Sequence, residues 1–318
     1  MSKTPSNPKG TRDFLPSELS KRNYILDILK KNFQLFGFSQ IETPALEKTS
    51  TLLGKYGNEG DRLVFKILNS GEKVKKADIN ALNSNDLNSF TKSLSEKGLR
   101  YDLTVPLARY VAQHQNNLTF PFKRFQVQSV WRADRPQHGR FQEFTQCDAD
   151  VVGNNSIVQE IELIKLYDKI FSELGFDDLV FKINHRLILK GIADYIGVQN
   201  NLNEFISIID KLDKVGLASV VEEIKEKFSD VSILKLEDLL KNKSLSFENI
   251  SLLLEESLLA KKGIDDLKSI FDFISTESIN NDIIFDLTLA RGLNYYTGTI
   301  IEVVSKSNTR LGSLGGGG

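Results

Sequence analysis

The stretch 124–151, RFQVQSVWRADRPQHGRFQEFTQCDADV, concentrates side chains able to bind a charged ligand. Side chains on a strand alternate faces with period two. If 141–151 is a strand, Gln142, Phe144, Gln146, Asp148 and Asp150 share one face. Glu143, Thr145, Cys147, Ala149 and Val151 then share the other. On the preceding strand Gln126, Gln128 and Arg132 also fall on one face. Burying such a face without partners costs ~1–3 kcal/mol per polar group. A solvated antiparallel face is the commoner origin of polar alternation. Arg132, Arg135 and Arg140 surround the intervening loop, and guanidinium forks are what polyphosphate recognition requires. On these grounds a solvated face and a binding face stand level.

Such a hairpin needs elements to hold it. Residues 18–36 read as a helix, with Ile25, Leu26, Ile28, Leu29, Phe33 and Phe36 apolar and Gly37 placed to end it. Phe38–Leu46 reads as a strand broken by Pro44, which favours a sheet edge. The Lys-, Asn- and Ser-rich residues 71–97 read as a solvated excursion. Strand-like runs follow at Phe122–Arg132 and Gly139–Gly153, then a helix over Val158–Leu174. All seven prolines lie in the first 136 residues, which permits long unbroken elements afterwards. Residues 187–280 read as helical, with Phe205, Ile208, Ile209 and Leu212 marking one amphipathic stretch. Strand character returns at Ile283–Leu289 and Thr297–Val304. The organisation expected is an α+β domain, 1–186 with 281–318, interrupted by a helical insertion at 187–280. The closing run Gly315–Gly318 suggests a truncation.

Composition narrows the class. With 318 residues, 40% hydrophobic and 26% charged, the chain suits one large or two ordinary soluble domains. A net charge of -1 gives no overall footprint for nucleic acid, so any RNA contact must come from a local patch. The single cysteine, Cys147, excludes a disulfide framework within the chain. His114, His138 and His185 show no metal-ligand spacing, and no metal site is expected. The start, MSKTPSNPKGTRDF, has no apolar leader, and no run reaches the ~18 apolar residues of a membrane span. A cytoplasmic protein without membrane contact is the expectation.

WRADRPQHGRFQEFTQCDAD (131–150) resembles motif 2 of class II aminoacyl-tRNA synthetases in its histidyl form. PKGTRDFLP (8–16) looks like the N-terminal signature of histidyl-tRNA synthetases, and FGFSQIETPALE (36–47) is similar to motif 1. RYDLTVPLARY (100–110) resembles the histidine-binding segment, and LARGLNYYTGTIIEV (289–303) the histidine-specific motif. The resemblance runs over nearly the whole chain. It implies a class II antiparallel sheet flanked by helices and the activity of a histidine–tRNA ligase. Arg132 would hold the ATP α-phosphate and the histidine carboxylate, and Arg291 would stand as the catalytic arginine beside it. Asp134 would contact adenine, Arg140 would reach the terminal phosphates, and Phe144 would stack on the base. Asp102, with Leu103 and Thr104 beside it, would pair the histidine ammonium, and Gln146 would meet the same group. Asp150 would accept a hydrogen bond from the imidazole, with Tyr295 and Tyr296 lining that pocket. The family usually has Glu at the places of Asp134 and Asp150.

The partners implied are L-histidine, ATP with Mg2+, and tRNA(His), and the motif 1 segment with Pro44 implies a homodimer. The chain stops before the family's motif 3 and anticodon-binding domain, so the resemblance implies weak or absent adenylation by this piece alone. The rival is the non-catalytic regulatory subunit of ATP phosphoribosyltransferase, which shares the fold. Arg291, Tyr295 and Tyr296 are retained here, whereas such subunits tend to lose them. The usual P-loop, dinucleotide and zinc-protease motifs are absent. Cys147 and His138 receive no role.

Overall fold

The computed structural model describes residues 5–137, 139–198, 201–228, 232–241, 246–290 and 296–318. Its contacts divide into two compact units, Met1–Asn154 and Asn155–Gly318. Both mix helices with largely antiparallel sheets, as the sequence suggests.

In the first unit, α1 (Pro16–Leu35) begins where Pro16 presets the helical φ and Glu18 accepts a hydrogen bond from the Leu15 N–H at 3.0 Å. Gly37, at φ 79°, ends it. The chain continues through β1 (Ser39–Gln40), β2 (Leu46–Lys48), α2 (Thr49–Leu52), α3 (Gly57–Arg62) and β3 (Lys66–Ile67). The strand expected over 38–46 is thus two short pieces around Pro44, with β1 at the edge of its sheet. Residues 71–97 are more ordered than their polarity suggests. The Asp78 and Asp86 carboxylates accept the Ala81 and Ser89 N–H groups at 2.9 and 3.1 Å, capping α4 (Ile79–Asn83) and α5 (Leu87–Leu94). The segment returns as β4 (Lys97–Leu99), the centre of a β2–β4–β3 sheet.

After α6 (Thr104–His114) come β5 (Phe122–Trp131) and β6 (Glu143–Val152), an uninterrupted antiparallel ladder. Its register pairs Arg124 with Asp150, Gln126 with Asp148, Gln128 with Gln146 and Val130 with Phe144. Directly opposed residues share a face. The other face lies under α1: the Phe33 and Phe125 rings are 5.1 Å apart, and Arg22 donates to the Thr145 hydroxyl. Apolar and polar chemistry are therefore sorted to opposite sides of one ribbon.

The second unit starts with α7 (Val158–Glu173) and β7 (Leu179–His185). Helices α8 (Arg186–Ile196), α9 (Leu202–Ile209), α10 (Leu212–Lys227), α11 (Ile233–Lys241), α12 (Phe247–Leu253) and α13 (Leu258–Ser275) follow. Then come β8 (Asp282–Phe285), β9 (Thr299–Ser305) and β10 (Ser313–Gly317). The sheet order is β10–β9–β7–β8, so the helices are inserted between neighbouring strands of one sheet. Leu179, Phe181 and Ile183 of β7 have no exposed surface. β8 stops earlier than the sequence suggests because Asp286 turns the chain, accepting from the Thr288 hydroxyl at 2.6 Å and N–H at 2.9 Å. The terminal glycines form a strand. A Cβ on Gly315 would lie 2.8 Å from the Tyr167 ring, whose hydroxyl donates to Gly316 O at 2.9 Å. Among the described residues no helix is long and apolar enough to cross a membrane.

Candidate active site

The polar face of the β5–β6 ribbon continues into the loop before α6. Asp102 is almost fully buried, and its Oδ1 accepts from the Tyr56 hydroxyl at 2.9 Å and the Val105 N–H at 3.2 Å. Leu103, also buried, caps α6, and Thr104 is the first helical residue. Arg124 joins this loop to β6. Its Nη2 is 2.6 Å from Asp150 Oδ2 and donates to Leu103 O at 3.4 Å; Nη1 donates to Gln126 Oε1 at 3.3 Å. The sequence reading passed over Arg124, although it lies two residues before Gln126 and so shares its face. Tyr56 left no such signal, because its approach to Asp102 spans 46 residues.

At the other end of the face, Arg132 donates from Nε to Tyr101 O at 3.1 Å. Its guanidinium carbon lies 4.3 Å from the Tyr101 ring centre and 5.1 Å from that of Phe144. An arginine braced between two rings is preorganised for an anion. Beyond it, Arg140 and Asp134 face each other at 3.8 Å, with the Arg140 side chain 59% exposed. Gln142 fixes this loop by donating to Asp134 O at 2.9 Å. Gly10 packs against the loop, and a Cβ there would sit 2.7 Å from Gln142 and 2.8 Å from Pro136.

Gln126 and Gln128 share the site face but are used as framework. Gln126 donates to the Thr43 hydroxyl at 2.8 Å, and Gln128 Oε1 accepts from the Thr43 N–H at 3.1 Å. Arg100 donates to Thr43 O at 2.6 Å and Ser129 O at 2.8 Å. Gln146 differs: its Oε1 is buried and has no hydrogen-bond partner, leaving an acceptor for a ligand.

Charge follows from this crowding. Burial, and then repulsion from Asp150, push the Asp148 carboxyl up to about 7. Burial also raises Asp150, with Asp102 repelling it and Arg124 opposing the shift. Asp102, Asp148 and Asp150 thus crowd round one guanidinium, and a ligand ammonium beside them would favour their ionised forms. Cys147, on the opposite face, has its thiol pushed up to about 11 by burial, which makes it unreactive. No group of three or more metal-ligating side chains is assembled among the described residues.

Asp102, Arg132, Phe144, Gln146 and Asp150 thus gather at the polar side of the ribbon in the first unit, with Leu103 buried and Thr104 opening α6 beside Asp102, and Asp134 and Arg140 at the hairpin loop. Tyr296 is half-buried in the second unit. Arg291 and Tyr295 lie outside the described residues.

A family model described as histidyl-tRNA synthetase matches residues 84–318. The chain belongs to the histidyl-tRNA synthetase family. It is 52% identical to the histidine–tRNA ligase of Christiangramia forsetii, across the whole of this chain and 71% of that protein. It is 49% identical to that of Flavobacterium johnsoniae, across the whole chain and 72% of the relative. The crystal structure of histidyl-tRNA synthetase from Nostoc sp. PCC 7120 superposes with a TM-score of 0.79 at 30% identity, over 98% of this chain and 68% of that one. A Bacillus halodurans structure, described as an ATP phosphoribosyltransferase regulatory subunit/histidyl-tRNA synthetase, matches at TM-score 0.77 but 22% identity. That likeness concerns fold alone, and the regulatory-subunit reading is not favoured beside synthetase relatives near half identity.

Proposed function

We propose that this histidyl-tRNA synthetase family member is a histidine–tRNA ligase, activating L-histidine with ATP and transferring it to tRNA(His). The observation that carries the reading is one ribbon face with a braced arginine at one end and a carboxylate cluster at the other. A zwitterionic amino acid fits that polarity, with its carboxylate toward Arg132 and its ammonium toward Asp102 and Gln146. Asp150 then reads the imidazole N–H, and the paired tyrosines Tyr295 and Tyr296 complete the pocket by the family motif. A site that hydrogen-bonds a substrate group rejects analogues lacking it by roughly 10⁴–10⁵.

In the first step a histidine carboxylate oxygen attacks the α-phosphorus in line. An O–P bond forms, and the bond to the leaving pyrophosphate breaks. Such chemistry needs positioned groups and charge stabilisation, with no enzymic nucleophile. Arg132 supplies one cation at the α-phosphate, and Arg291, which matches the family's catalytic arginine in the motif 289–303, would supply the second. Arg140 is exposed enough to reach terminal phosphates, Asp134 meets adenine, and Phe144 offers a stacking surface. Mg2+ enters on the ATP oxygens as part of the substrate.

The catalytic body is 1–186 with 281–318 and the helical insertion is 187–280, which the pairing of β7 with β8 and β9 supports. The 36–47 segment forms a homodimer interface, and the protein works in the cytoplasm. The test is calorimetric titration with L-histidine beside a panel of other amino acids. Selective binding, lost in Asp150→Ala and kept in Arg291→Ala, is the expected result. Binding without selectivity, or binding indifferent to Asp150→Ala, overturns the assignment.

A further inference from the structure

Arg124 has no exposed surface and no part in the mechanism above. A guanidinium so placed is strongly unfavourable unless paired, which makes its partners informative. Its Nη2 ion-pairs with Asp150 Oδ2 at 2.6 Å and donates a hydrogen bond to Leu103 O at 3.4 Å. Those two atoms belong to different elements of the site, β6 and the loop carrying Asp102. Asp150 Oδ2 is itself buried against the arginine, yet the Asp150 side chain as a whole keeps 31% exposure. The oxygen left to meet a ligand is therefore Oδ1. Aspartate is also one methylene shorter than the glutamate that the family resemblance leads one to expect at this place.

We propose that Arg124 is the positioning residue for histidine recognition, holding Asp150 so that Oδ1 faces the substrate imidazole at a fixed span from the ammonium-binding loop. The proposal rests on the reading of Asp150 as the imidazole partner. Arg124 does not touch the substrate. Its rigid planar guanidinium meets a carboxylate and a carbonyl through one nitrogen and Gln126 through another, a placement that a lysine ammonium on a flexible stem does not reproduce. Its positive charge also offsets the repulsion that Asp102 and Asp150 exert on Asp148 and that Asp102 exerts on Asp150.

The experiment measures Kd for L-histidine and for ATP separately, by calorimetry, in the unaltered chain and in Arg124→Met, Arg124→Lys, Asp150→Asn and Arg124→Met/Asp150→Asn. Arg124→Met is expected to weaken histidine roughly 30-fold or more, the usual scale for truncating a buried charge pair. ATP affinity should stay within about 2-fold, because Arg132 and the loop are untouched. Asp150→Asn should add little once Arg124 is gone, since two residues acting as one unit are not additive. Folded Arg124→Met binding histidine as the unaltered chain does, or losing histidine and ATP alike, overturns the proposal. If Arg124→Met does not fold, Arg124→Lys decides: weaker histidine with unchanged ATP supports it, and unchanged histidine overturns it. A chain that shows no selective histidine binding at all sinks the functional reading itself. Weakening by Asp150→Asn without weakening by Arg124→Met sinks only the role of Arg124.

Discussion

The β5–β6 ribbon of the first unit and the β7–β9 ladder of the second are both antiparallel and both alternate strictly, yet they spend their inward faces differently. In β7 the inward residues Leu179, Phe181 and Ile183 are aliphatic or aromatic and fully buried. In β5 the corresponding side carries Arg124 and Gln126, equally buried and held by hydrogen bonds and an ion pair. Stability explains the first choice. It does not explain the second, because apolar residues of similar size often serve a core as well as or better than a buried ion pair. A polar face retained in such a place points to a ligand.

That contrast can be broken by substitution. Phe181→Ala removes a buried ring and should cost about 3–5 kcal/mol of stability by chemical denaturation, with histidine affinity of the folded protein unchanged. Arg132→Ala should do the reverse. Whatever pyrophosphate exchange the chain sustains is expected to fall by roughly 10²–10³, the scale for one preorganised charge-stabilising donor, with little change in unfolding. If Arg132→Ala instead unfolds the protein, the ribbon is a framework and the comparison fails.

Smaller effects sharpen it. Gln126→Leu strands the Thr43 hydroxyl and should cost about 1–3 kcal/mol. A loss in stability with unaltered histidine affinity would class Gln126 with the framework. Asp148→Asn tests the electrostatics through pH. The folded carboxyl, at about 7, lies above its ordinary 3.8, so the folded state binds the extra proton between those values. Its contribution to stability is present below 3.8 and is lost as pH rises through about 7. Asp148→Asn should remove that fall, and identical pH–stability slopes in both proteins would contradict it. Least of all, Cys147→Ser should leave exchange unchanged, and the thiol should resist iodoacetamide at neutral pH.

Much of this was legible in advance because strand parity needs no tertiary knowledge. Phe144, Gln146, Asp148 and Asp150 fell on one face by counting, and the register confirms the pairing. Arg124 obeys the same count, two residues before Gln126 and directly opposite Asp150. The division among the glutamines could not be counted. Gln126 and Gln128 meet Thr43, 83 and 85 residues away, whereas Gln146 Oε1 is buried without a hydrogen-bond partner. Residues 71–97 misled because low hydrophobicity was read as solvation, while Asp78 and Asp86 were helix caps in plain view. The histidine-specific motif was legible only as a resemblance, and Arg291 and Tyr295 lie outside the described residues.

The second unit's sheet has a consequence for synthesis on the ribosome. β7 finds its partners only in strands that follow the helical stretch; Leu179 is bonded to Asn281, 102 residues later. At about 5–20 residues per second the nascent chain must carry β7 unpaired for roughly 5–20 s. An apolar strand with open edges is an aggregation hazard for all of that time. What emerges meanwhile, among the described residues, is six helices whose hydrogen bonds lie within each segment and whose apolar faces can pack on one another as they appear. The insertion therefore delays the sheet and also supplies the first surfaces on which the waiting strand can shelter.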